Sequence, residues 1–335
     1  VSVLELIQKL PKTELHLHIE GSLEPELMMQ LAQKHGVALP YNSVEEVAAA
    51  YNFDNLQSFL DLYYLGASVL RDEDDFYQLM WRYLLRCKAD NVVHTEIMFD
   101  PQTHTERGIG FDVFMAGFQR AIDDAKAQWG QSVLLIMSYL RHLSEESALE
   151  TLQQAQPYLH QIAAVGLDSS EMGNPPEKFI HVFAASKAMR LQRVAHAGEE
   201  GPADYIWGAI KHLDVARIDH GVRCVEDEGL VRYLTDRQIP LTVCPLSNIK
   251  LCVFDEMSQH NILQLLEKGL RVTVNADDPS YFGGYLNDNY RALHEHLGMN
   301  EQQLVALVKN SFLGSFLPEE EIQRWVDKVD QIAGA

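Results

Sequence analysis

Eight times along this chain a short apolar run ends in polar or reactive residues and is followed by a stretch with helical spacing. The runs are ELHLH (14–18), VVHTEIMF (92–99), VLLIMSYL (133–140), IAAVGLD (162–168), QRVAHAG (192–198), ARIDHG (216–221), PLTVCPLS (240–247) and RVTVNADD (271–278). Between them lie segments such as DEGLVRYLTDRQ and NILQLLEKG, the second closing on a glycine stop. Short apolar runs bounded by turn residues and alternating with helices predict buried parallel strands. Eight is the count that closes a barrel, so the expected fold is α/β, a (β/α)8 TIM barrel occupying residues 1–335 as a single domain. An open doubly wound sheet would need a Gly-rich phosphate turn after the first strand, and HIEGSLEP does not supply one.

The spacing is uneven at one place. Strand one ends near His18 and strand two begins near Val92, which leaves a long helical insertion with Leu56, Phe59, Leu60 and Tyr63 at helical spacing. Its plain interpretation is a buried core face. On a barrel, however, this insertion falls at the C-terminal rim where loops build the active site. It is therefore expected to form a lid over that face, with Phe59 against the substrate pocket.

Charge narrows the partners. Lys and Arg number 27 against 48 Asp and Glu, a formal net charge of −21, which disfavours a nucleic acid or an anionic membrane surface. The four cysteines (Cys87, Cys224, Cys244, Cys252) make no C-x-x-C pair and no dense framework, as expected of reduced thiols in the cytoplasm. The opening VSVLELIQKLPK is too short and too interrupted by charge for a signal segment, and no run approaches a membrane span. A cytoplasmic protein acting on a small molecule is expected, with homo-oligomerisation left open.

The strand ends carry the chemistry. His16 and His18 lie at the end of strand one, His196 with Glu199 after strand five, His220 after strand six, and Asp277 with Asp278 after strand eight. Alternate strand residues share a face, so an H-x-H pair can converge on one ion at about 2 Å. His196 and a carboxylate from the last strand would complete the set around that ion. Taken singly, each of these has an ordinary alternative: a half-buried core histidine, a hydrogen-bonded histidine, or a helix cap in DDP (277–279). Their joint placement at corresponding strand ends favours a metal site.

At these residues a resemblance emerges. ELHLHIEGSLEP, HAGEEGP, RIDHGVR, CPLSN and NADDPSYFGG, in this order over nearly the whole chain, resemble the adenosine/adenine deaminases of the amidohydrolase superfamily. The resemblance implies a barrel with one catalytic divalent cation, Zn²⁺ with Fe²⁺, Mn²⁺ and Co²⁺ as alternatives, held by His16, His18, His196 and Asp277. It further implies that Glu199 protonates purine N1, that His220 takes a proton from the attacking water, and that Asp278 contacts N7. H-x-E with P-C-x-x-C, the signature of the other zinc deaminase class, is absent. After strand four this chain reads DSSEMGNPPEKF, with Glu171 where adenosine deaminases tend to carry a glycine facing N3. That stretch, with FDPQTHTERG and RHLSEE, resembles the adenine deaminase branch. Glu171 is expected to accept the N–H on the N3/N9 edge of a free base. The expected reaction is adenine to hypoxanthine and ammonia, in purine salvage. Deamination of N6-substituted (cytokinin-like) adenines or of adenosine stays open, as does a non-catalytic metal-binding barrel.

Overall fold

The computed structural model describes residues 1–335. All eight predicted strands are present: β1 (Lys12–His18), β2 (Val92–Phe99), β3 (Ser132–Leu140), β4 (Ala164–Asp168), β5 (Gln192–Ala197), β6 (Arg217–His220), β7 (Leu241–Val243) and β8 (Val272–Val274). Each pairs in parallel with its sequence neighbour, in the order β1 to β8. The last two strands are shorter than their apolar runs. Pro245 has no N–H to give a ladder and instead opens a helix over Pro245–Lys250.

The seam between β8 and β1 is closed by side chains as much as by backbone. Asn275 Oδ1 accepts from the N–H groups of Leu15 and His16 at 2.8 and 3.1 Å. Buried Glu14 accepts from Ala276 N–H at 2.8 Å, and Asp277 N–H donates to the His16 carbonyl at 3.1 Å. His18 N–H then donates to the Asp277 carbonyl at 2.9 Å. The barrel therefore closes directly beneath the two strand-one histidines, and Asp277 is locked to them through the main chain.

The inside of the barrel is filled by Met98, Ile136, Ala164 and Val194, with Phe316 packed beneath. Below them, buried Arg217 pairs with Glu96 and lies 4.0 Å over the Phe316 ring. Burial would push the Glu96 carboxyl up, but the Arg217 charge and His94 hold it down at about 2. The floor is thus apolar and ion-paired, which leaves the strand C-termini as the open, polar end.

Ahead of β1 stands α1 (Val3–Lys9). The insertion after β1 forms α2 (Pro25–His35), α3 (Val44–Ala49), α4 (Leu56–Ala67) and α5 (Glu73–Ala89). Asn55 starts α4 through a capping box with Ser58. The first turn of α4 is tied across the barrel mouth by Leu56 N–H donating to Glu200 at 2.9 Å. β2 runs into the short α6 (Pro101–Thr105) and then α7 (Phe111–Trp129), which packs on α5. That approach is close: a Cβ on Gly117 would meet the Glu73 carbonyl at 2.4 Å. No helix is long and apolar enough to cross a membrane, and all four cysteines are free.

Candidate active site

At the C-terminal end of the barrel His16, His18, His196, His220, Asp277, Asp278 and Glu199 are all buried. Nε2 of His16 and Nε2 of His18 each lie 3.1 Å from the same Asp277 Oδ1. Donor atoms of His16, His18 and His196 lie within 4.8 Å of one another. The structure thus gathers the four residues that the sequence nominated as ligands.

The donor set fits a divalent cation. Nε2 of His16 and of His196 are buried without a hydrogen-bond partner. Orphaned buried polar atoms are costly, about 1–3 kcal/mol each, and an ion among them would remove that cost. The opposite ring edge of His16 is fixed: its Nδ1 sits 3.0 Å from Thr242 Oγ1, and Thr242 in turn donates to Asp219 at 2.8 Å. Such a contact chooses the tautomer that leaves Nε2 free to ligate. His18 Nδ1 lies 3.4 Å from Asp168, and Ser247 Oγ donates to Asp277 Oδ2 at 2.8 Å. Thr242, Asp219, Asp168 and Ser247 were not singled out from sequence. Their strand-end positions, and the S in CPLSN, were the available signals.

Backbone strain marks the same place. Ser169, His220 and Asp277 are non-glycine residues at φ of 79°, 69° and 65°. Left-handed φ at such residues persists only where the surroundings impose it, and all three border one cavity. Gly21 has a different duty there: a Cβ on it would come within 1.9 Å of Asp278 Oδ1. The glycine after HIE therefore makes room for the Asp278 carboxyl.

Three further groups face the donor set. His220 Nε2 is 3.2 Å from Glu199 Oε2 and 3.7 Å from Asp277 Oδ2. Burial, then the neighbouring His16, pulls the His220 ring down to about 3, so it is held neutral at physiological pH. Burial drives the Glu199 carboxyl well above the usual range, and the charges of Asp277, Glu171 and Glu200 add to it. Asp278 is pushed up by burial and by Asp277. A neutral imidazole and a protonated carboxyl side by side form an acid–base pair.

The cavity is a small, partly open pocket, with about 350 Å³ of space counting the part open to solvent. Its roof is α4, through Leu56, Phe59, Leu60, Tyr63 and Tyr64. Phe59 is among the residues that line the cavity.

Glu171 is not where the sequence placed it. Its side chain is buried away from the cavity wall and accepts four backbone N–H groups: Gly198 and Gly201 at 2.7 Å, Glu200 at 2.9 Å and Glu199 at 3.2 Å. Gly201 is required for this fit, since a Cβ there would come within 2.6 Å of Glu171 Oε2. Both oxygens are turned to backbone donors, Oε1 taking three and Oε2 one, and Glu171 is not among the residues that line the cavity. The expectation of direct contact is corrected: Glu171 clamps the loop that carries Glu199. Chain position alone could not reveal that the loop after β5 curls its N–H groups onto the loop after β4.

What lines that side of the cavity instead is a carboxyl cluster. Asp100 and Asp168 are in contact, and burial followed by the Asp168 and Glu20 charges raises the Asp100 carboxyl well above its usual range. Tyr63 O–H donates to Asp100 Oδ2 at 2.7 Å and approaches Glu20 at 3.2 Å. Glu20 also accepts from Asp100 N–H at 3.1 Å and faces His104 Nε2 at 2.9 Å.

Comparison with known proteins gives a consistent result. The family model described as adenosine deaminase matches residues 11–332. An adenine deaminase of Hahella chejuensis is 60% identical over 327 residues, covering 98% of each chain. The crystal structure of an adenine deaminase from Arthrobacter aurescens superposes with a TM-score of 0.95 at 46% identity, covering 97% of this chain and 99% of that one. An amidohydrolase from Burkholderia ambifaria, crystallised with bound Zn, shares the fold at TM-score 0.89 and 23% identity, over 100% of this chain and 95% of that one.

Proposed function

The chain belongs to the adenosine deaminase family, and from that premise we propose that it hydrolyses adenine to hypoxanthine and ammonia, as a cytoplasmic enzyme of purine salvage. One observation carries the chemistry: buried, unpartnered imidazole nitrogens converge with a carboxylate directly beside His220 and Glu199, which lie 3.2 Å apart and whose burial favours the neutral imidazole and the protonated carboxyl. The name shared by full-length relatives near 60% identity supports the base, rather than the nucleoside, as substrate.

Deaminases of this family use a divalent metal; here His16, His18, His196 and Asp277 would hold it, and three nitrogens with one oxygen suit zinc. Bound there, such a cation would supply Lewis-acid activation of water, whose pKa it would bring to about 7. His220, neutral and 3.2 Å from Glu199, takes the proton released as water adds to C6. Glu199 gives its proton to N1, so that negative charge does not build on the ring. Asp278 faces N7 from the opposite side of C6. His220 returns its proton to the amine, which leaves as ammonia, while the C6 hydroxyl gives its proton to Glu199 and becomes the carbonyl of the 6-oxo purine. Buried apolar groups of α4, Phe59 among them, cover the ring face and exclude bulk water.

Adenine and adenosine compared side by side test the substrate. The expected preference for adenine in kcat/KM is at least about 10⁴-fold, the range reached by sites that read a substrate N–H and leave no room for more. Equal or better turnover of adenosine would overturn the assignment.

Glu171→Gln tests the clamp. The amide presents N–H to backbone N–H, and a charge-assisted bond of about 1.5–3 kcal/mol is lost. Expected is a 10- to 100-fold drop in kcat with KM for adenine nearly unchanged. The Glu171 charge also helps raise the Glu199 carboxyl. Without it Glu199 loses its proton at lower pH, and the alkaline limb of the pH–rate profile moves to lower pH. A normal kcat with an unmoved limb would show that Glu199 needs no such support.

A further inference from the structure

With Glu171 removed from the cavity, the substrate edge remote from C6 needs another partner. We infer that Asp100, at the junction of β2 and α6, is the residue that reads a free purine base, its carboxyl accepting the N9–H of adenine. This inference rests on the adenine deaminase reading above.

Three observations carry it. Asp100 borders the same cavity as His18, Glu199 and Asp278, and its side chain is buried. Its two oxygens are unequal: Oδ2 is held by Tyr63 at 2.7 Å, whereas Oδ1 has no protein donor. Burying an oxygen without a donor is costly unless something completes it. A carboxyl oxygen left free in this way can accept a hydrogen bond from a ring N–H. The third observation is rigidity. Tyr63, Glu20 and the Asp100 N–H form one hydrogen-bonded block, and Glu20 is backed by His104, which in turn contacts Arg107 at 3.1 Å. A group attached to N9 would have to enter that block. A nucleoside both lacks the N–H and needs the space, so one residue supplies recognition and exclusion together.

The test is a cycle between one side chain and one substrate atom. The substrates are adenine and its 9-oxa analogue, in which a ring oxygen replaces N9–H without adding bulk; the variant is Asp100→Ser. In the unmodified enzyme kcat/KM is expected to favour adenine by at least about 10-fold beyond the analogue's intrinsic reactivity, the size of one hydrogen bond to a carboxyl. Asp100→Ser should lose about 100-fold on adenine, and the adenine to 9-oxa ratio should collapse by at least about 10-fold. A purely structural role for Asp100 would depress both substrates equally and leave the ratio unchanged, which overturns the inference. Should that variant be unstable, Asp100→Asn decides instead: Tyr63 O–H holds the amide oxygen, the amide N–H faces the substrate, and the adenine to 9-oxa ratio should collapse by at least about 10-fold, whereas an unchanged ratio overturns the inference. If the unmodified enzyme deaminates adenine but the ratio does not respond to Asp100→Ser, only this inference falls. Failure to deaminate adenine at all would remove the reading beneath it.

Discussion

Glu199→Gln is expected to lower kcat on adenine by about 10²- to 10⁴-fold, with bound metal and adenine affinity nearly unchanged. The reason is positional. Glu199 stands at the edge of the cavity on the loop after β5, 3.2 Å from His220 and outside the group of donors around Asp277 Oδ1. An amide of the same shape can still donate a hydrogen bond to N1 but cannot give up a proton, and a positioned general acid contributes about that range. The substitution also removes no group from the clamp, since Glu171 holds the loop through backbone N–H. Steady-state kinetics beside elemental analysis measures both halves of the expectation. Turnover within tenfold of the unmodified enzyme would take the proton-donor role away from Glu199.

The second large effect concerns the metal. Protein stripped by a chelator is expected to retain less than about 1% of its deaminase activity, and one equivalent of Zn²⁺ per chain should restore it. His16→Ala should bring metal content well below one equivalent, because His16 is the ligand whose geometry is most tightly set from behind, by Thr242 and Asp219. A readout independent of activity follows from the orphaned nitrogens of His16 and His196. Metal binds the folded site and not the unfolded chain, so the thermal midpoint should rise on adding Zn²⁺ and should not rise in His16→Ala. Acidification should release the ion, because imidazole ligands must be unprotonated to bind. Full activity in metal-free protein, or an unchanged midpoint, would refute this arrangement.

Much of the scaffold was legible from pattern. Strands buried on both faces are near-continuous apolar runs, and eight of them separated by helical spacing leave few ways to fold. The residues at the strand ends were legible for the same reason: in a barrel the C-terminal ends of all strands meet, so His16, His18, His196, His220 and Asp277 could be brought together by topology before any coordinate was known. Phe59 followed from helical spacing and the position of the insertion. The ends of β7 and β8 were less legible, because Pro245 and Asn275 interrupt strand geometry inside runs that stay apolar or small.

Glu171 marks the limit of that logic. Its place in the chain was right beside the site, and its chemistry could serve a substrate N–H or a backbone N–H equally well. Which of these it meets depends on the direction of one side chain and the curl of a loop 27 to 30 residues away. Asp100 shows the converse: in sequence it stands within FDPQTHTERG with no role assigned to it, and only the folded molecule reveals one of its oxygens buried without a donor. Local pattern determined the barrel, the end of it that is reactive and the ligand types gathered there, because periodicity and topology act on every residue of a strand alike. Tertiary structure alone decided which carboxyls face the cavity, which are spent on the backbone, and which hold a proton. Those outcomes depend on burial and on contacts between loops far apart in the chain, and no stretch of sequence contains them.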